Sequence, residues 1–578
     1  MEALDETTSL LPDPVESCPN DLPDDTKLEQ EYHRDNMALP KGPILLSLWL
    51  GSFVSALDGT VVANIMNSIA AEFAESDKKQ WIATSYLLTN TAFQPLYGKL
   101  SDITGRKVAV ITAHFFFALG CLLTCFAQNV TQFSIARAIC GIGGGGINAM
   151  SSITVTDICS ARERGVYQGY ANVVFGTGQL LGAPIGGFLL DSIGWRSIFG
   201  IQVPMLMLCS VLALKNVNIK LVHIPPRNER FTWKNLSRID IFGSISLVAT
   251  ISGILFLTSS NWNKSLLGIF TVLSFSLFIY IELYVAKERI MPFELLKGSF
   301  GLSSIATVIT SFIIYGEIFR SPIYLQLIQN VSVTVTGLYL IFPSVAIALG
   351  SIVTGSILRN TKMDLAHCAA AIIFGGMIMQ LAGLALSYYL LSHVNPALDL
   401  ADLPANLFSA ATIYFVSDSI WWKIVYVGAL VIGSSGYASL LVATLVSIVF
   451  TVDRSKQGTI TGIFYLWRSI GNVLGASITL VVFERSLGRM LWEFMFGDSS
   501  TTGSYRFKKS EYRRLISDSS YLRKGPFPAK ALAGLLKVYN KAFLISYVPN
   551  MGLSILGILV AWMLYRSHGK KMLESSAN

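Results

Sequence analysis

The chain has 578 residues, with 44 Lys and Arg against 36 Asp and Glu, a formal net charge of +8. Hydrophobic residues make up 52% and charged residues 14%, whereas soluble proteins carry roughly 25% charged residues; mean hydropathy is +0.53. So little charge cannot clothe a water-facing surface, which excludes a soluble multidomain enzyme, and so apolar a chain is not disordered over most of its length.

A polytopic membrane protein remains. The cations sit in short pieces between apolar runs, the pattern of loops beside a bilayer and not of a nucleic-acid site. The seven cysteines (Cys18, Cys121, Cys125, Cys140, Cys159, Cys209, Cys368) are odd in number, lie mostly in apolar runs and form no CxxC. Neither a disulfide framework nor a metal site is expected, and no cofactor. Cys121 and Cys125 share a helix face and read as packed thiols.

Residues 1–42 are acidic and Pro-containing, without the basic and apolar regions of a signal peptide, and read as a disordered cytosolic tail. Within it, Glu6-Thr7-Thr8-Ser9-Leu10-Leu11 resembles the acidic dileucine signal by which adaptor complexes sort cargo to vacuoles or lysosomes.

A helix needs about 20 apolar residues to cross the hydrocarbon core. That window finds spans near 44–66, 81–100, 108–127, 131–155, 167–190 and 197–215. It then finds 241–260, 265–286, 300–322, 333–357, 367–391, 421–450, 460–483 and 542–565, roughly fourteen in all. These divide the chain into an N-terminal six-helix bundle (43–216), a cytosolic loop (217–239), two inserted spans (240–287), a C-terminal bundle (288–566) and a short tail (567–578).

Alternate loops hold Lys99, Arg106, Lys107, Arg162, Arg164, the cluster from Lys215 to Arg238, Lys287, Arg289, Lys297, Arg359, Lys362, Arg454 and Lys456. The opposite short loops hold mainly Lys78, Lys79 and Lys264, so both termini are expected in the cytosol. The basic segment 484–541 is expected as a lumenal loop, too long for its charge to direct topology. Asn129 and Asn263 head far-side sequons close to the membrane, where an unused acceptor is expected.

Three glycine patterns stand out. In Gly98-Lys99-Leu100-Ser101-Asp102-Ile103-Thr104-Gly105-Arg106-Lys107 the glycines allow a tight turn, and Asp102 can pair with cations at neighbouring helix ends to latch one conformation. In the fifth span, Gly178, Gly182, Gly186 and Gly187 let helices approach closely, and Pro184 removes a backbone bond, giving a bendable packing face. Gly141-x-Gly143-x-x-Gly146 matches a dinucleotide fingerprint, but it follows no strand and lies within a span, so close helix packing is expected instead. No G-x-x-x-x-G-K-[ST] occurs, which excludes transport powered by a nucleotide-binding domain on this chain.

The Gly98–Lys107 stretch resembles the G-x-L-a-D-r-x-G-r-k signature of the major facilitator superfamily. Gly178 to Gly187 resembles its antiporter signature G-x-x-x-G-P-x-x-G-G, with Ala183 where the family has Pro and Pro184 one place later. Trp195-Arg196-Ser197-Ile198-Phe199 is similar to the element before the sixth span, and Leu57-Asp58-Gly59-Thr60-Val61-Val62 to the L-D-x-T-V-V element of the fourteen-span drug:proton antiporter branch. The C-terminal half matches by span count. Over nearly the whole chain, stretches such as KQWIATSYLLTNTAFQPLYGKLSDITGRK, ARAICGIGGGGINAMSSI and FYLWRSIGNVLGASI are similar to the fungal vacuolar basic amino acid transporters. The resemblance implies an all-α membrane protein of two six-helix bundles, related by inverted repeats and separated by two inserted spans. It also implies alternating access at the vacuolar membrane, exchanging lumenal protons for cytosolic Lys, Arg or His.

Ionisable side chains inside a membrane are costly and mark function. Asp58 lies in the first span, Arg137 in the fourth, Glu317 and Arg320 in the ninth, and Arg468 in the thirteenth. A carboxyl group shielded from water is costly to keep charged, so Asp58 is the expected proton carrier, loaded from an acidic lumen and emptied to the cytosol. The competing reading has it bonded permanently to hydroxyls such as Thr60. Arg137 sits in the R-x-x-x-G stretch where the family places an arginine linked to proton transfer. Asp58 and Glu317 are candidate partners for a cationic substrate, although Glu317 and Arg320, one turn apart, can neutralise each other. Asn90 and Gln94, with Trp467 and Asn472, offer hydrogen bonds and a cation–π face near the midplane, or simply pack. Arg468 reads as a counterpart of Arg137 or a snorkelling cation.

The expected function is proton-coupled antiport of basic amino acids into the vacuole. A plasma-membrane multidrug:proton antiporter is the rival on the same scaffold, and a non-transporting nutrient receptor is more remote because the cytosolic loops are short. An enzyme is not expected, since segment 484–541 holds no paired catalytic constellation.

Overall fold

The computed structural model describes residues 24–73, 75, 80–222, 224, 230, 232, 235, 240–259, 263–286, 289, 298–331, 333–394, 420–450, 457–497, 507–517 and 521–577. Among these residues every regular element is helical, as expected where hydrocarbon offers peptide groups no hydrogen bonds. The dileucine residues Glu6, Leu10 and Leu11, and the loop cations Lys78, Lys79, Lys287, Lys297, Arg454 and Lys456, lie outside the described residues.

The first bundle comprises α2 (Lys41–Glu72), α3 (Gln80–Thr104), α4 (Arg106–Cys125), α5 (Val130–Ile158), α6 (Ala161–Ile193) and α7 (Trp195–Asn216), preceded by α1 (Asp24–Ala38). The hairpin of α8 (Ile241–Ser259) and α9 (Lys264–Tyr280) follows, α9 ending in a π turn over Ile281–Val285. The second bundle comprises α10 (Gly298–Leu327), α11 (Val333–Asn360), α12 (Leu365–His393), α13 (Ile420–Phe450), α14 (Gln457–Phe496) and α17 (Ala529–Ala577). Two short helices, α15 (Lys509–Ser517) and α16 (Tyr521–Lys524), link α14 to α17.

Each of the fourteen expected windows is occupied by a helix. Among the described residues, twelve are long and apolar enough to cross a membrane, and α3 falls short of that measure in hydropathy. The hairpin packs on the seam between the bundles, where Leu247, Ile251 and Phe278 meet Leu466 and Val473 of α14. Large apolar side chains such as Phe188, Phe242, Val272 and Leu273 point outward, more than 60% exposed, the surface a lipid environment requires.

Two segments depart from the sequence reading. Where 1–42 was expected as a disordered tail, Asp24–Ala38 forms α1, rich in strong helix formers with acids at its start. It is tied down by Asn36, which donates to the Lys220 carbonyl at 2.7 Å and accepts from the Lys220 amide at 3.0 Å. Segment 484–541, expected as a loop, is largely helical in its described residues. With 40 and 49 residues, α14 and α17 run for roughly 60 and 75 Å at 1.5 Å per residue, well past a hydrocarbon core of about 30 Å. At their projecting ends, Leu515 of α15, Leu522 of α16 and Leu535 and Leu536 of α17 are buried in the core of the second bundle. Glu484 and Arg485 ended the hydropathy window, but charge is tolerated once a helix has left the bilayer.

Candidate functional site

Asp58 lies in the middle of α2 with 0% exposure, and Arg137 of α5 with 1%. The arginine Nη1 donates to Asp58 Oδ2 at 2.7 Å, and Gln202 Nε2 of α7 donates to Oδ1 at 3.4 Å. The Thr60 hydroxyl, the alternative partner expected from sequence, turns back to the carbonyls of Ala56 and Leu57 instead. The antiporter-like glycines sit directly behind this pair. A Cβ on Gly178 would lie 2.6 Å from the Phe53 carbonyl oxygen, and one on Gly182 would collide with Thr60 Oγ1 and stand 2.7 Å from the Leu57 carbonyl. Gly186 faces Val61 in the same way, so the stripe seats α6 on the backbone that carries Asp58. Pro184 stands inside α6.

From Arg137 a polar series leads to the junction of the bundles. Its guanidinium lies 4.4 Å from the Tyr86 ring centroid, within cation–π range. Asn90 Nδ2 donates to the Tyr86 hydroxyl at 3.2 Å, and Gln94 Nε2 to Asn90 Oδ1 at 3.0 Å. Ser469 Oγ of α14 then donates to Gln94 Oε1 at 2.9 Å. Tyr86, Asn90 and Gln94 stand at successive i, i+4 positions and share one face of α3. This inward polar face is why α3 falls below the hydropathy of its neighbours. The glycine run that holds the false dinucleotide fingerprint serves this face: Gly141, Gly144 and Gly145 let α5 lie against Tyr86, Thr89 and Asn90 with no room for a Cβ, while Gly143 does the same for Phe117 of α4.

The bundles are in tight contact at the end that carries the Gly98–Lys107 turn. A Cβ on Gly355 of α11 would sit 2.4 Å from the Gly165 carbonyl carbon of α6, and one on Gly169 only 3.0 Å from Ile352. Asn172 Nδ2 donates to Ser351 Oγ at 3.0 Å, Gln168 Nε2 to the Tyr465 hydroxyl at 3.3 Å, and Gly462 rests on Pro95. Within the turn, Gly105 has φ 94°, a conformation favouring glycine. Arg106, 1% exposed, donates from Nη1 to Asp102 Oδ1 at 2.5 Å and from Nε to Asp157 Oδ2 at 2.7 Å. The expected latch is therefore a three-residue clamp joining α3, α4 and the end of α5. Lys107 bonds the Leu214 carbonyl at 2.8 Å, tying the turn to α7.

In the second bundle Arg320 Nη2 donates to Glu317 Oε1, so the two neighbours on α10 do pair. Arg320 also donates to the Ser546 carbonyl at 3.0 Å, and its guanidinium lies 3.3 Å from the Tyr547 ring centroid. Glu317 thus stands with its own arginine, in the other bundle from Asp58, and lines a pocket with Ser321, Gln380, Ser387 and Ser434. Trp467 and Asn472 lie on α14 on either side of Ser469, and Arg468 is beside them, its guanidinium 5.8 Å from the Tyr465 ring. Sequence reasoning missed Gln202, Asp157, Tyr86 and Ser469. Of these only Tyr86 carried a visible signal, its four-residue spacing from Asn90.

The Major Facilitator Superfamily profile matches residues 48–476. The chain is 65% identical over 576 residues to vacuolar basic amino acid transporter 1 of Saccharomyces cerevisiae, with 100% of each chain covered. It is 32% identical over 461 residues to multidrug resistance protein fnx1 of Schizosaccharomyces pombe, covering 78% of this chain and 80% of that one. Among solved structures, the human organic anion transporter MFSD10 superposes with a TM-score of 0.53 at 12% identity, over 90% of this chain and 99% of that one. The protein belongs to the Major Facilitator Superfamily.

Proposed function

We propose that this protein is a proton-coupled antiporter that moves the basic amino acids Lys, Arg and His from the cytosol into the vacuole by alternating access. The full-length similarity to a relative named for vacuolar basic amino acid transport supports the substrate class and the compartment. In this reading both termini lie in the cytosol, fourteen spans cross the bilayer, and Glu6, Leu10 and Leu11 offer the tail to an adaptor complex.

The observation that carries the coupling is the sealed Asp58–Arg137 pair and its route to Ser469 through a cation–π contact with Tyr86 and three hydrogen bonds. A proton placed on Asp58 removes the charge that holds Nη1 of Arg137. The guanidinium is then free to move against the Tyr86 ring, at the head of the series through Asn90 and Gln94. That series ends in a bond between the bundles, so the protonation state of Asp58 biases the contact that rocking must break. Asn90, Gln94, Trp467 and Asn472 border the junction and offer the substrate hydrogen bonds, while Asp58 and Glu317 offset its positive charge. The Gly98–Lys107 clamp keeps the N-terminal bundle rigid as it moves.

The test is uptake of labelled Lys, Arg and His into isolated vacuoles with the proton gradient intact or collapsed. Deletion and Asp58→Asn are each expected to abolish gradient-driven uptake; unchanged uptake in either rejects the proposal. A second reading, multidrug:proton antiport at the plasma membrane, is favoured by the similarity to a relative named for multidrug resistance. A fluorescent tag at the cell periphery, with toxin sensitivity on deletion and normal vacuolar amino acid pools, selects it.

A further inference from the structure

The three buried arginines within the bundles each hold a carboxylate: Arg106 has Asp102 and Asp157, Arg137 has Asp58, and Arg320 has Glu317. Arg468 is different. Among the described residues it makes no ion pair, and its buried Nε has no hydrogen-bond partner. The groups facing it are the hydroxyl-bearing rings of Tyr437, Tyr465 and Tyr315. An uncompensated cation out of bulk water is costly, and three tyrosines do not neutralise it.

Arg468 is also surrounded by other unspent hydrogen-bonding capacity. Trp467 Nε1 and Asn472 Oδ1 are buried without partners, and the Tyr437 hydroxyl lies against the Arg468 guanidinium with its own proton left to donate. Arg468 and Asn472 are one helical turn apart on α14. The neighbourhood lies where the bundles meet: Ser469 is bonded to Gln94 of α3, and Tyr315 interacts with Gln179 of α6. Trp467 and Tyr315 pack on the cluster that holds Tyr437 and Tyr465, so these donors and a fixed positive charge share the junction with no ion pair among the described residues to receive them, and the Asn472 oxygen lacks a donor.

We infer that Arg468, with Trp467 and Tyr437, forms the subsite for the carboxylate of the transported amino acid, and that Asn472 accepts from its α-ammonium group. A guanidinium presents paired N–H groups that match the two oxygens of a carboxylate. The indole N–H and phenol O–H add single donors, and the Asn472 oxygen suits an ammonium. The α-amino acid group common to Lys, Arg and His is thereby read by α14, leaving the basic side chain to other contacts. The inference rests on the amino-acid reading above and specifies where that substrate is anchored.

Competition against labelled lysine uptake by vacuoles tests it, with L-lysine, lysinamide and 1,5-diaminopentane as competitors. For the unaltered protein, the two competitors lacking a free carboxylate are expected to be weaker than lysine by more than about tenfold, the order of effect for a desolvated charge pair. In Arg468→Gln, lysine is expected to weaken to the level of lysinamide, while lysinamide itself is little changed. Trp467→Phe, which keeps an aromatic ring but removes the indole N–H with the five-membered ring, is expected to narrow the same ratio with folding intact. Equal competition by all three in the unaltered protein, or an undiminished lysine-to-lysinamide ratio in Arg468→Gln or Trp467→Phe, overturns the subsite. Lysine uptake by the unaltered protein with either result leaves the amino-acid reading standing; absence of lysine uptake overturns both.

Discussion

Arg137 reaches from α5 to Asp58 on α2 across 79 positions of sequence, and the two form a 2.7 Å ion pair from which water is excluded. Removing one partner strands the other as a buried charge, which costs about 3–5 kcal/mol, whereas removing both leaves a neutral site. Asp58→Asn and Arg137→Gln are each expected to lower the thermal midpoint of the detergent-solubilised protein. The double variant is expected to recover most of that loss while remaining inactive in uptake. Additive losses in the double variant would show that the pair is not the stabilising unit.

The clamp at Arg106 gives a graded prediction. Its guanidinium serves Asp102 and Asp157 at once, and an ammonium cannot reproduce that fork. Arg106→Ala removes the cation that Asp102 and Asp157 share and is expected to be the most destabilising change in the turn. Arg106→Lys is expected to be intermediate, and Asp157→Asn milder, because the Asp102 bond survives. Expression and thermal midpoint measured across the three variants check the order.

At the α6–α2 contact, two glycines of one helix are expected to respond oppositely. A methyl on Gly182 meets Thr60 Oγ1 and the Leu57 carbonyl, so Gly182→Ala forces α6 off α2, at the roughly 1–3 kcal/mol typical of overpacking. Gly176 has open space around its Cβ position, so Gly176→Ala is expected to be neutral or to stabilise by up to about 1 kcal/mol through helix propensity. Thermal midpoints of the two variants decide it, and uptake is expected to fall only in Gly182→Ala, where the shift reaches Asp58.

The helices were legible from the sequence because hydropathy and length alone demand them, and the glycine-rich stretch 141–146 was legible as packing because it stood inside a span. Glu317 and Arg320 were readable as a pair for a local reason: they are neighbours on one turn. Asp58 was visible as a buried charge, but its partner was not, since helix-to-helix contacts leave no mark in local spacing. The same limit hid Gln202 and Asp157. Charge in the sequence likewise suggested that the thirteenth span stops before Glu484, although a helix can carry Glu484 and Arg485 beyond the bilayer without breaking.

The last prediction concerns the contact that must open. Gly355 and Gly165 touch backbone to backbone at the clamp end of the bundles, leaving no room for any side chain. Gly355→Leu would therefore hold α11 away from α6 and disfavour the closed arrangement, while an arrangement with that end open would tolerate it. A cysteine placed at Ser351, now bonded to Asn172, reports the change directly. In an otherwise cysteine-free chain, Ser351→Cys is expected to react slowly with a membrane-impermeant maleimide added at that end. Adding Gly355→Leu is expected to speed that reaction and to abolish net uptake, because a protein unable to close one end cannot complete the cycle. Unchanged labelling beside normal uptake would mean that these helices do not part at the glycine contact during transport.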